Sequence, residues 1–85
     1  MNPTPPKSVV LVDDEVSYTN LLRELLSEQL DCPIVPYARP LQALADLPGL
    51  NPGVIVTDYS MPQLGGAEFI VRASARFPEV PIILI

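Results

Sequence analysis

The chain has 85 residues, with ten acidic side chains against five Lys and Arg, a formal charge of −5. That length supports one small domain with a thin stability margin, and 48 % hydrophobic residues suits a globular chain. Its basic residues (Lys7, Arg23, Arg39, Arg72 and Arg76) form no run, so the footprint of a nucleic-acid binder is missing. His is absent, which removes Ser-His-Asp triads and the commonest zinc sites.

Cys32 is the single cysteine, so no internal disulfide is possible and a reducing compartment is the simpler reading. No apolar run approaches the ~20 residues that span a bilayer. Met1 to Ser8 is proline-rich and polar, unlike a secretory leader, and a cytoplasmic location is expected. Residues 1–7 are expected to be a disordered tail, with the folded region at 8–85.

Val9-Val10-Leu11-Val12 is a continuous apolar run, as in a strand covered on both faces. From Tyr18 the period changes. Tyr18, Leu21, Leu22, Leu25 and Leu26 follow the stripe of an amphipathic helix, with Ser17 as a candidate cap and Asp31-Cys32-Pro33 as the stop. Ile34-Val35-Pro36-Tyr37 predicts a short strand that its proline confines to a sheet edge.

Pro40 opens a second helix, with Leu41, Leu44 and Leu47 repeating every three residues and Pro48-Gly49 as the stop. Pro52-Gly53 predicts a turn into Val54-Ile55-Val56-Thr57, an apolar strand that ends at Asp58. Phe69, Ile70, Ala73 and Phe77 mark a third helical face, closed by Pro78. Pro81 to Ile85 is a fourth strand candidate.

The alternation β-α-β-α-β-α-β predicts an α/β fold on a parallel sheet, and right-handed crossovers leave few windings. With the Pro36 strand at an edge, the order is 2-1-3-4. Its direction reverses between strands one and three, where a doubly wound sheet binds its ligand. Asp13 and Asp14 end the first of these strands and Asp58 ends the other.

Three carboxylates brought together repel, and a divalent cation resolves the conflict. Mg²⁺ prefers oxygen ligands and keeps several waters beside one or two carboxylates. An Asp carboxylate can also attack phosphorus and form an acyl phosphate. A lone Asp-Asp pair is as often a solvated loop; the match with Asp58 at the corresponding strand end carries the weight. A P-loop ATPase would need a glycine-rich loop ending in Lys-Ser or Lys-Thr, and the sequence has none.

Val9-Val10-Leu11-Val12-Asp13-Asp14-Glu15 resembles the opening of response-regulator receiver domains of two-component signalling. Asp58-Tyr59-Ser60-Met61-Pro62, followed by Gly66 and Glu68, resembles their phosphoacceptor strand and loop. The resemblance runs from Ser8 to Ile85 and implies a flavodoxin-like doubly wound sheet. It implies that Asp58 takes phosphate from the phosphohistidine of a sensor histidine kinase or a phosphotransfer protein. Asp14 would ligate Mg²⁺ directly, Asp13 largely through water, Asp58 as acceptor and ligand, and Ser60 through its backbone carbonyl. Met61-Pro62 would shape the loop, and Gly66 would permit close backbone approach. Gly65 stands where the family commonly has an acidic helix cap, so the third helix should start less firmly.

The family's phosphoryl-binding Ser or Thr and its Lys are expected after Ile85, together with the fourth helix, fifth strand and fifth helix. Residues 8–85 thus read as a partial receiver domain, in which Lys7, placed before strand one, cannot replace that Lys. No turnover of a separate substrate is expected beyond self-phosphotransfer. Two other functions stay open. One is an interaction fragment, dimeric or swapped, that pairs through the open edge of the fourth strand. The other, ranked last for want of an acid-base group, is a Mg²⁺-dependent phosphohydrolase using Asp58.

Overall fold

Ser8-Val9-Val10-Leu11-Val12 is buried along its whole length and forms the inner strand β1 (Ser8–Val12). A computed structural model describes residues 7–61 and 63–85, so the expected tail, apart from Lys7, and the loop residue Pro62 lie outside the described residues. After β1 come α1 (Val16–Gln29), β2 (Ile34–Tyr37), α2 (Pro40–Leu50), β3 (Pro52–Thr57), α3 (Gly66–Arg76) and β4 (Ile82–Leu84). All pairings are parallel and the order is β2-β1-β3-β4, as the alternation and the edge proline require.

Side chains alternate across the sheet. Val10, Val12 and Ile55 face α2 and α3, where they meet Ala43, Leu47, Phe69 and Ala73. Burying Phe69 or Leu47 completely contributes about 1.5–3 kcal/mol each, so this side supplies most of the core. Val9 and Leu11 point to the other face, where α1 packs against β2.

Several element details differ from the sequence pattern, each for a local reason. Ser17 does not cap α1. The cap position is Glu15, and the Ser17 hydroxyl sits in the first turn and donates to Glu15 Oε1 at 2.9 Å. The stripe of α1 also divides. Thr19 is buried and Leu22 and Leu26 are half-buried, whereas Tyr18, Leu21 and Leu25 face outward. The arc that the described residues cover is narrower than the five apolar positions span.

Helix α2 runs through Pro48 and Gly49 to Leu50, and ends at Asn51 in the left-handed region, φ 49°. The missing N–H of Pro48 falls in the last turn, where β1 ties down the end instead. The Ser8 hydroxyl donates to the Leu50 carbonyl at 2.8 Å, and the Ser8 N–H to that of Asn51 at 3.0 Å. Its buried face is Pro40, Ala43 and Leu47, with Leu44 half-buried, and Leu41 points outward. Pro52 and Gly53 are not a turn but the start of β3, where the register with β1 shifts between Ser8 and Val9.

Two contacts set the carboxyl end of the sheet. The Tyr37 hydroxyl donates to Asp46 Oδ2 at 2.7 Å and pins β2 to α2; burial and this bond push the phenol pKa up to about 12. The loop after β3 folds back so that the Gly66 N–H donates to the Tyr59 carbonyl at 2.7 Å.

A side chain at Gly66 would meet the Asp58 carbonyl and stand 2.7 Å from Tyr59 Cα, both backbone atoms that cannot swing away. Among the described residues a side chain at Gly65, the start of α3 without a side-chain cap, would have only the Tyr59 carbonyl nearby, at 4.0 Å. Gly66→Ala should therefore destabilise by about 2 kcal/mol, as overpacking does, with Gly65→Ala nearly neutral. Urea unfolding midpoints check this, and equal losses would place the constraint elsewhere.

Candidate functional site

The ends of β1 and β3 are neighbours, and the residues that follow each strand inherit that relation. Val12 lies opposite Thr57, and the Asp58 N–H donates to the Val12 carbonyl at 2.9 Å. On the other side the Asp13 N–H donates to the Tyr37 carbonyl at 3.0 Å. The last rungs of the sheet thus hold the backbone of both Asp residues, and Asp14 extends outward beside them. One carboxylate oxygen from each of Asp13, Asp14 and Asp58 lies within 4.8 Å of the others.

Local turns then aim the side chains. Asp13 Oδ1 accepts the Glu15 N–H at 2.9 Å, and Asp58 Oδ1 accepts the Tyr59 N–H at 2.8 Å. The second oxygen of each carboxylate has no protein hydrogen bond among the described residues. Asp13 is buried, Asp58 half-buried and Asp14 exposed, so the cluster opens to solvent on one side.

Burial raises the Asp13 pKa above the usual carboxylate value. The Glu15 N–H opposes that rise, and the charges of Asp58, Asp14 and Glu15 add to it. Among the described residues no Lys or Arg forms an ion pair with the three acids, and Lys7 stands at the far end of β1. Uncompensated hard oxygen donors at this spacing suit a divalent cation such as Mg²⁺. The donor set therefore fits the metal that the acidic pattern suggested.

Asp13, Asp14 and Asp58 are brought together as their positions at the strand ends require. Ser60 is exposed in the β3–α3 loop. Met61 is half-buried against the core, where the Thr57 hydroxyl points to its sulfur at 3.9 Å, so it braces the loop from beneath. Sequence reasoning missed the backbone N–H groups of Glu15 and Tyr59. For Glu15 a signal existed, because an Asp before a turn commonly accepts the N–H two residues on.

The response regulator receiver domain model matches residues 9–85. A protein-glutamate methylesterase/protein-glutamine glutaminase of Trichodesmium erythraeum is 32 % identical over 81 residues, covering 94 % of this chain and 23 % of that protein. One from Albidiferax ferrireducens is 35 % identical over 78 residues, covering 91 % and 21 %. The chain thus spans less than a quarter of the length of these curated relatives.

Among solved structures, response regulator TrrA of Thermotoga maritima, in complex with Mg²⁺–BeF, superposes with a TM-score of 0.84 at 28 % identity, covering 92 % of this chain and 67 % of that one. Vibrio cholerae chemotaxis protein CheY4 gives 0.81 at 27 %, covering 93 % and 67 %. With a family match that takes in β1 to β4 and the same sheet order behind the acidic cluster, the chain belongs to the response regulator receiver domain family.

Proposed function

We propose that the chain is the phosphoacceptor module of a two-component phosphorelay, acting in the cytoplasm and taking phosphate from a histidine kinase or phosphotransfer protein onto Asp58 with Mg²⁺. The convergence of Asp13, Asp14 and Asp58 at the β1/β3 switch point carries this proposal. The Tyr59 N–H fixes one Asp58 oxygen and leaves the other to attack. That oxygen forms the new P–O bond as the P–N bond of phosphohistidine breaks, and the imidazole leaves with the electron pair. Among the described residues the exposed Asp14 carboxylate accepts no backbone N–H, and it would ligate the metal directly. Asp13, held by the Glu15 N–H, would act largely through water, and the Ser60 carbonyl would complete the protein's share. A Mg²⁺ ion held by these oxygens would supply charge neutralisation for the incoming phosphoryl group.

The module modifies itself and turns over no separate substrate. Methylesterase and glutaminase activities belong to relatives of which it spans less than a quarter. A second function has one observation in its favour. The outer edge of β4 is unpaired among the described residues, and Ile83 and Leu84 are 50 % and 46 % exposed. Pairing through that edge would make no use of the carboxylates.

Incubation with acetyl phosphate and Mg²⁺ should add one phosphoryl mass, with acetate leaving. Asp58→Asn should abolish the gain, whereas a persisting adduct on that variant would refute Asp58 as acceptor. The raised Asp13 pKa gives a second test. A carboxylate harder to ionise when folded destabilises the fold increasingly as pH rises through its ordinary value to its folded one, and fully above the folded value. Asp13→Asn, which keeps an acceptor for the Glu15 N–H, should raise the neutral-pH Tm of metal-free protein and weaken Mg²⁺ binding at least about tenfold. Differential scanning fluorimetry against Mg²⁺ concentration reads both effects.

A further inference from the structure

Two surfaces on opposite sides of the sheet carry matched chemistry. On α1, Leu21, Glu24, Leu25 and Glu28 share one arc of the helix, away from the Thr19–Leu22–Leu26 side that meets the sheet. Among the described residues nothing covers this arc. Leu21 is 53 % and Leu25 51 % exposed, and both glutamates are exposed. Across the sheet, an open groove of about 390 Å³ runs between α2 and α3. Leu44, Ala45 and Ala75 line it with aliphatic surface, and Arg72 and Arg76 with charge.

The groove therefore holds two of the five basic residues of an acidic chain. Arg72 bonds Glu68 at 3.2 Å, a half-exposed pair that solvent weakens, and Arg76 forms no ion pair among the described residues. Each charged pair is spaced four residues apart, about 6 Å along its helix axis. The sheet separates α1 from the groove within one molecule.

We infer that the α2–α3 groove receives α1 of a second copy. Leu21 and Leu25 lie on the aliphatic floor, with Glu24 and Glu28 against Arg72 and Arg76. Because the two surfaces are different and lie on opposite faces, the contact runs head to tail, without two-fold symmetry. It uses none of the three site carboxylates, so it stands or falls apart from the phosphoacceptor function.

Sedimentation velocity of the complete chain, across protein concentration and salt, tests it. The average sedimentation coefficient should rise with concentration at low salt and fall back as salt is added. Arg72→Glu with Arg76→Glu, and separately Glu24→Arg with Glu28→Arg, should each weaken association at least about tenfold. An equimolar mixture of these two variants should associate again, since each then offers a complementary partner, and circular dichroism confirms that both are folded. If either fails to fold, Arg72→Gln with Arg76→Gln and Glu24→Gln with Glu28→Gln replace them and should each show the same weakening. A monomer at every concentration would overturn the inference. So would association that survives both sets of changes, which would assign the contact to another surface such as the β4 edge.

Discussion

The parallel pairing of β1 with β3 is the constraint on which the rest depends. Val12 opposite Thr57, with the Asp58 N–H bonded to the Val12 carbonyl, makes two acidic positions 45 residues apart into neighbours. Slipping β3 by one residue against β1 would turn Ile55 away from α2 and α3 and move Asp58 off its place. The core therefore enforces the geometry of the site. The same alternation that buries Phe69 and Leu47 against the sheet keeps the carboxylates abreast at its end.

The cluster is costly to the fold that builds it. Asp13 is buried beside two other acids, and no basic side chain pairs with them among the described residues. One bond, from the Glu15 N–H, offsets part of this, and the Asp13 pKa remains raised. The donor set suits a hard cation, whose positive charge would offset the repulsion among the three carboxylates. The Gly66 contact with the Asp58–Tyr59 backbone folds the loop tightly over the acceptor position.

Much of this was legible in the residues. The β-branched runs, the Pro36 edge strand and the helical spacing of Phe69 and Ala73 sufficed for the sheet order and for the meeting of Asp13, Asp14 and Asp58. What escaped depended on tertiary context. Pro48 looks like a helix stop, yet Ser8 of a distant strand secures the turn that contains it. Ser17 looks like a cap, but the chain enters the helix two residues earlier, once Asp13 has accepted the Glu15 N–H. The stripe on α1 gave no sign that half of it would remain uncovered by the described residues.

The central claim is that Asp58, and no other carboxylate of the cluster, carries the phosphoryl group. Borohydride reduction of the phosphorylated chain converts an acyl phosphate to an alcohol, and peptide mass mapping then locates it. The proposal predicts the modification on Asp58 alone. Reduction at Asp13, Asp14 or any residue outside the cluster would contradict the account.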